Sequence, residues 1–252
     1  MVPGIFKEYD VRGLAGHEVD ADTMERLGNA FARFLSEGGG HGAVVVGRDA
    51  RLTSEGFSRA FIKGALSRGF DVLDIGLVTT PLFYFSVVQS GASGGAMITA
   101  SHNPAEWNGV KFVGQGADVI YKETGLSRVK SLVQEKPLPA PQRGSSSPAD
   151  FSAEYIEKLA SFAALRRPLR VLADTSNGSA GALLGRVFAR IGTGAEILLG
   201  EPDGRFGTHS PNPLAEDTEH LVPGHAFCSA TRTPRSTTTS VRALSDVFFA
   251  TT

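Results

Sequence analysis

The sequence lacks the features that mark exported, membrane-bound or nucleic-acid-binding proteins. Its 252 residues include one cysteine, Cys228, which excludes an intrachain disulfide framework and fits a reducing compartment. No apolar run approaches the roughly 20 residues that span a bilayer. The N-terminal MVPGIFKEYD becomes charged before any signal-peptide core, and the formal net charge is −1. We therefore expect a cytoplasmic protein that binds neither nucleic acid nor membranes.

Hydrophobic periodicity predicts strands alternating with helices. Asp22 with Glu25, and Thr80 with Pro81, are typical of helix starts. Helical spacing extends over 22–35, 57–65, 124–133, 152–162 and 180–191, and strand-like runs occupy 43–47, 70–75, 95–100, 109–113, 169–173 and 195–199. This alternation predicts layered α/β domains, with a mixed, largely parallel sheet between helices.

Composition changes suggest where the domains end. Residues 136–150 are rich in Pro and Ser, as linkers often are, whereas residues 225–252 hold seven threonines and one acid and show no clear periodicity. We expect a complete first domain and a partial second one. The predicted limits are 1–137 for the first domain, 138–150 for a linker, 151–221 for the partial domain, and 222–252 for an aberrant or disordered tail.

The stretch TASHNPAEWNGVKF, residues 99–112, is the main candidate site. It follows a predicted buried strand, which is where open α/β sheets place their chemistry. Ser101, turn amides and the returning Lys111 suit a phosphate or phosphoserine better than an acyl group. An ordinary polar loop remains an alternative. So does a hydrolase, because residues 91–95 match G-x-S-x-G around Ser93, although the predicted helix-then-strand order is the reverse of a nucleophile elbow.

Two N-terminal segments add basic candidates. Arg12 in FKEYDVRG could project toward an oxyanion, or it could form a surface salt bridge with Glu8 or Asp10. Arg48 and Arg51 leave the strand VVVG in a turn, and pairing with Asp49 is favoured over direct catalysis.

Two C-terminal features favour structural roles. In TSNGSAG, residues 175–181, a Ser or Asn helix cap is expected. In THSPNP, His209 is expected to be a structural or surface histidine, and Asp174 could position a loop.

Taken together, FKEYDVRG, VVVGRDAR, TASHNPAEWNGVKF and HSPNP resemble the phosphomannomutase/phosphoglucomutase group of the α-D-phosphohexomutases, from about residue 5 to about residue 220. The resemblance implies an intramolecular phosphotransferase, classed as an isomerase, acting on hexose phosphates in carbohydrate metabolism. Phosphoryl transfer between O1 and O6 would pass through a phosphoserine and a bisphosphorylated hexose, which also serves as activator. Preference for mannose or glucose and the oligomeric state stay open.

The resemblance also implies roles for individual residues. Ser101 corresponds to the phosphoserine and Lys111 to a lysine that assists proton transfer, while Arg12 lies near the phosphoserine. His102 is expected to be catalytic, and Asn103 and Arg48 are expected in the loops that hold phosphate. Mg²⁺ would bind Ser101 through its phosphate.

The resemblance is incomplete where the metal should bind. The family's three aspartates form an Asp-x-Asp-x-Asp-Arg loop, which does not follow HSPNP in this sequence. We therefore expect a truncated and inactive fragment. The alternative is a non-catalytic fragment that binds a phosphosugar or a partner.

A frameshift would explain the unusual tail. If Ala230 to Pro234 are encoded GCG-ACC-CGG-ACG-CCN, a shifted frame reads Asp-Pro-Asp-Ala, which resembles the start of the missing loop. Sequencing codons 220–240 tests this hypothesis. Codons that yield no aspartates in any frame would contradict it.

Overall fold

Strands and helices alternate along the chain, as the sequence predicts. A computed structural model describes residues 3–165, 169–212 and 238–240. The helices are α1 (Ala21–Glu37), α2 (Ser54–Ser67), α3 (Thr80–Ser90), α4 (Ser127–Gln134), α5 (Ser152–Ser161) and α6 (Gly181–Arg190). The strands are β1 (Val11–Leu14), β2 (Ala43–Arg48), β3 (Asp71–Leu77), β4 (Gly94–Ile98), β5 (Trp107–Gly114), β6 (Val119–Ile120), β7 (Ser146–Pro148), β8 (Arg170–Asp174), β9 (Gly194–Leu198) and β10 (Thr238–Ser240).

The first unit contains a seven-stranded sheet in the order β1-β5-β4-β2-β3-β7, with β6 also paired to β5. Strand β5 is antiparallel to β1, β4 and β6, whereas β2 is parallel to β3 and β4. The prediction of a mixed, largely parallel sheet is therefore confirmed. Strand β7 lies within the predicted linker and pairs in parallel with β3.

Apolar side chains cover both faces of this sheet. On one face, α1 and α2 bring Phe31 and Phe61 against Phe112 of β5, with ring centroids 4.7 to 6.1 Å apart. On the other face, α3 contributes the buried Phe83. Tyr155 of α5 also packs there, with its ring centroid 5.3 Å from that of Phe85, and so brings α5 against the first unit.

The second unit is a three-stranded parallel sheet in the order β10-β8-β9. Within the predicted tail, only the backbone of β10 is described, and residues 213–237 and 241–252 lie outside the described residues. None of the helices in the described part of the chain has the length and apolarity needed to cross a membrane.

Three predicted helix caps are wrong, two of them by one or two residues. Helix α1 is capped by Asp20, not Asp22, because the Asp20 side chain accepts a hydrogen bond from the Thr23 amide. Thr79 caps α3 in the same way. At α6, the N-cap is Ala180 and no side chain caps the helix. At α1 and α3 the cap is decided by which side chain reaches a free amide, and spacing alone does not determine this.

The close crossing of α1 and α2 gives a test of the packing. A Cβ added at Gly64 would lie 1.9 Å from the Glu25 carbonyl oxygen, whereas one at Gly56 would meet nothing within 4 Å. We expect Gly64→Ala to destabilise the protein by about 1–3 kcal/mol through overpacking. The control Gly56→Ala should be neutral or stabilising by up to about 1 kcal/mol. Urea unfolding midpoints check this, and equal midpoints for the two variants would contradict the crossing.

Candidate active site

The loop that carries Ser101 leaves the carboxyl end of β4, where parallel strands present catalytic groups. We call residues 99–107 the serine loop. Ser101 has φ 57°, in the left-handed region that non-glycine residues rarely adopt. Its amide donates to Thr99 Oγ1 at 2.9 Å, and its Oγ lies 3.4 Å from His102 Nδ1. Ser101 therefore lies in a hydrogen-bonded turn.

A buried aspartate pairs with both predicted basic residues. Asp10 Oδ1 accepts from Arg12 Nε at 2.9 Å, and Asp10 Oδ2 lies 3.5 Å from Lys111 Nζ. The Arg12–Asp10 pair considered from the sequence thus exists, although Asp10 is buried rather than at the surface. Each cation retains about a quarter of its side-chain exposure, 27% for Arg12 and 24% for Lys111, so both can still meet a ligand.

The pairing of β1 with β5 brings these charges together. Arg12 lies opposite Gly109 in the antiparallel register, one residue along from Val11 and Val110. A Cβ at Gly109 would lie 2.0 Å from the Val11 carbonyl oxygen, so only glycine allows this approach. Gly109 of the 99–112 motif is therefore needed for the packing of β5 against β1.

His102 is surrounded by positive charge. Partial desolvation and the charges of Arg12, Lys111 and Arg51 lower the pKa of His102 below its usual 6.5, and Asp10 opposes this effect. The ring remains largely exposed, which keeps desolvation incomplete. At neutral pH the imidazole is therefore uncharged and able to accept a proton.

Arg51 is buried directly beneath the serine loop. Its Nε donates to Asp49 Oδ2 at 3.1 Å, which confirms the pairing expected from the sequence. Its two terminal nitrogens donate to four backbone carbonyl oxygens of the serine loop, at 2.6 to 3.0 Å: those of Ser101, Asn103, Pro104 and Trp107. Because a guanidinium has five N–H donors, all of them are used.

A second polar contact joins β5, directly after the serine loop, to the start of α2. Asn108, fully buried, donates from Nδ2 to Thr53 Oγ1 at 2.7 Å and to Ser54 Oγ at 3.0 Å. Ser54 Oγ in turn donates to Asp49, the partner of Arg51. The motif and the turn after β2 therefore share one buried hydrogen-bond network.

The remaining predicted phosphate-loop residues occupy different settings. Asn103 Nδ2 donates to the Ala100 carbonyl at 2.6 Å, so this amide stabilises the turn itself. Arg48, at the end of β2, is half-buried and makes no ion pair or side-chain hydrogen bond with a residue that the structure describes. A role for Arg48 toward phosphate stays a prediction.

The hydrolase alternative finds no matching geometry. Ser93 lies between α3 and β4, at the end of the sheet away from Ser101, so the strand-then-helix context of a nucleophile elbow is missing. Its Oγ donates to the His41 carbonyl and accepts from the His41 amide at 3.1 Å. These are backbone contacts, which do not form a nucleophile–base pair.

The second unit fixes its own loops through Asp174. Asp174 Oδ1 accepts from the Ser176 amide at 2.8 Å, and Oδ2 lies 3.2 Å from Nε2 of the buried His209. The side-chain amide of Asn177 donates to the Glu201 carbonyl and does not cap a helix. His209 is thus a structural histidine, as the sequence suggests, and Asp174 positions loops.

Comparison with known proteins identifies the family of this chain. The family model described as phosphoglucomutase/phosphomannomutase, alpha/beta/alpha domain I, matches residues 3–136. The chain belongs to this family. Its serine loop, Asp10 and the Arg51 network all lie within the matched region, which supports the resemblance seen in the motifs.

The family relatives are considerably longer than this chain. A phosphomannomutase of Escherichia coli is 37% identical over 235 residues, covering 87% of this chain and 51% of the relative. A phosphoglucomutase of Neisseria gonorrhoeae is 33% identical over 219 residues, with 86% and 47% covered. The crystal structure of a phosphoglucomutase/phosphomannomutase family protein from Burkholderia thailandensis has a TM-score of 0.79 at 32% identity, with 86% and 48% covered. The chain spans about half the length of these relatives.

The described residues do not fit the Mg²⁺ that the resemblance implies. A site for this ion needs several oxygen ligands, usually including carboxylates. Within residues 3–165 and 169–212, no three His, Cys, Asp or Glu side chains group so as to hold a metal. Near Ser101, Asp10 is paired with Arg12 and Lys111, and Asp49 is paired with Arg51.

Sequence reasoning missed the roles of Asp10, Asn108 and the carbonyl contacts of Arg51. The sequence suggests Asp10 only as a surface partner of Arg12, because its burial depends on β5 lying beside β1. The clue available for Arg51 was its spacing of two residues from Asp49. Its contacts to residues 101–107 cross about 50 positions of sequence, and no local pattern reveals such contacts.

The charge balance at His102 can be tested by removing the opposing aspartate. Asp10→Asn should lower the pKa of His102 further, because Asp10 is the group that raises it. The exposed Glu8→Gln is the matched control and should leave the titration nearly unchanged. NMR titration of the His102 ring, assigned with His102→Gln, gives the measurement. A wild-type ring that titrates at or above 6.5 would contradict the proposed environment.

Proposed function

We propose that this chain is the phosphoserine-bearing part of a hexose-phosphate mutase of the phosphomannomutase/phosphoglucomutase type. The observation that carries this proposal is Ser101, held at φ 57° beside the uncharged His102 and near the cations Arg12 and Lys111. Positive groups at fixed positions stabilise a transferring phosphoryl group more than solvent does, because they need no reorganisation. The substrate is a hexose 1-phosphate or 6-phosphate.

The proposed chemistry moves one phosphoryl group at a time. In one direction, the phosphorus–oxygen bond of phospho-Ser101 breaks while a sugar hydroxyl forms a new bond to phosphorus, and the hydroxyl proton passes to the serine oxygen. Phosphorylation of Ser101 by the bisphosphorylated hexose is the reverse step. Lys111 relays the proton, Arg12 binds the phosphoryl oxygens, and His102 accepts a proton or hydrogen bond beside Oγ.

Sustained turnover requires more than the described residues offer. Without a set of carboxylates for Mg²⁺ among its described residues, a large electrostatic contribution to catalysis is missing. Removal of a single preorganised hydrogen-bond donor from an oxyanion hole typically costs about 10²–10³-fold in rate, and we expect the loss of a metal ion to cost at least as much. We therefore propose that the 252-residue chain has little or no mutase turnover. We also propose a cytoplasmic location, as expected from the sequence.

The poor fit to a metal supports a second candidate function. A fragment that binds a phosphosugar without transferring phosphate would use the same Arg12 and Lys111. Phosphorylation of Ser101 distinguishes the two functions, because a binding module leaves the serine unmodified.

The test is to treat the purified chain with glucose 1,6-bisphosphate or mannose 1,6-bisphosphate and measure its intact mass. We expect one phosphoryl group on Ser101, and none in Ser101→Ala. Ser93→Ala is the matched control and should be phosphorylated like the wild type, because Ser93 lies at the other end of the sheet.

A coupled assay with glucose 1-phosphate then measures turnover, with the Escherichia coli phosphomannomutase as reference. We expect the rate to be lower than the reference by about 10²-fold or more. Turnover equal to the reference would refute the inactivity proposal. Sugar-phosphate binding by an unmodified chain would favour the non-catalytic alternative.

A further inference from the structure

Arg51 does not reach toward solvent as a phosphate ligand would. Its side chain is fully buried, and its five N–H donors are all used by Asp49 and by four carbonyl oxygens of the serine loop. Two of these carbonyls belong to Ser101 and Asn103, on either side of His102. The guanidinium is therefore the common attachment point for the backbone that presents the serine.

The carbonyl pattern depends on the shape of a guanidinium. Four carbonyl oxygens converge on one buried cation, and a planar fork meets them with separate N–H groups, whereas an ammonium offers three donors from a single point. The left-handed backbone of Ser101 is unfavourable by itself for a residue with a Cβ. The hydrogen bond from Arg51 to the Ser101 carbonyl helps to hold that conformation.

The second unit covers another side of Arg51. We call residues 202–206 the docking segment. The ring of Phe206 lies 5.3 Å from the guanidinium carbon of Arg51, within the range of a cation–π contact. A Cβ at Gly204 would lie 2.4 Å from the Ala50 carbonyl oxygen and 2.6 Å from Arg51 Cα, so the two backbones are in close contact.

We propose that Arg51 is a positioning residue that makes the geometry of the serine loop depend on docking of residues 202–206. When Phe206 covers the guanidinium, water is kept from its hydrogen bonds to the loop carbonyls, and Ser101 stays in the left-handed turn. When Phe206 is removed, water competes for these donors and the turn loosens. The consequence for phosphoryl transfer rests on the proposed function, but the structural coupling does not.

Amide hydrogen exchange of the full chain tests the coupling without any need for activity. We expect Arg51→Lys to speed exchange in residues 99–107 by about tenfold or more, because charge-assisted hydrogen bonds are lost. Phe206→Leu should speed exchange of the same amides by about fivefold. Phe206→Tyr keeps the aromatic ring, so exchange in this variant should stay at the wild-type rate.

The control is Arg205→Gln, next to Phe206. Arg205 is exposed and its side chain contacts Asp203, so its loss should leave the serine loop unchanged. Core amides of α1 and β2 report global stability in the same samples. Loop exchange that is unchanged in both Arg51→Lys and Phe206→Leu, or that rises only in step with the core, would overturn the proposal. If Arg51→Lys does not fold, the comparison of Phe206→Leu with Phe206→Tyr decides.

A functional arm follows the rate of Ser101 phosphorylation by glucose 1,6-bisphosphate. Phe206→Leu should lower the maximal rate by about fivefold and leave half-saturation by the donor nearly unchanged, because positioning and not binding is altered. A change confined to half-saturation would oppose a positioning role. If the wild type is not phosphorylated, the proposed function fails, while the exchange experiment still decides the role of Arg51.

Discussion

One buried guanidinium, that of Arg51, holds the loop on which the proposed phosphoryl chemistry depends. Arg51 uses Asp49 to balance its charge and four carbonyls of residues 101–107 to satisfy its remaining donors. A buried charge is tolerated only when it is paired and fully hydrogen-bonded, and here both conditions are met by the turn after β2 and the serine loop. Displacing either element would leave a buried cation unsatisfied, so the two elements are structurally dependent on each other.

The cations around Ser101 are of two kinds: one is buried and supports the loop, and two are partly exposed and can meet a ligand. Arg51 is saturated by protein groups, whereas Arg12 and Lys111 share one buried carboxylate and remain partly exposed. Asp10 thereby holds two cations close together that would otherwise repel each other. Partial desolvation, together with the charges of Arg12, Lys111 and Arg51, lowers the pKa of His102 below its usual 6.5, and Asp10 opposes this effect. The site thus combines two cations accessible to a ligand with a neutral proton acceptor.

The sequence predicted the fold better than it predicted the contacts within the site. Helix and strand positions followed from periodicity, and the position of Ser101 at a strand end followed from the β4 pattern. The predictions of Asp22 and Thr80 as helix caps were wrong, because the nearby Asp20 and Thr79 bind the free amides instead. The carbonyl contacts of Arg51 could not be anticipated, since they join segments about 50 residues apart and involve backbone atoms that every residue has.

The sequence by itself determined the α/β alternation and the family resemblance, and it carried the prediction of Ser101 as the phosphoserine, because each depends on local spacing or on a contiguous motif. Only the tertiary structure decided that Asp10 is buried between Arg12 and Lys111, and that Phe206 lies against Arg51. These contacts arise from strand register and from the packing of two units, which bring together residues that are distant in the chain. Their strength depends on burial, since removal of water determines how strongly the charges interact.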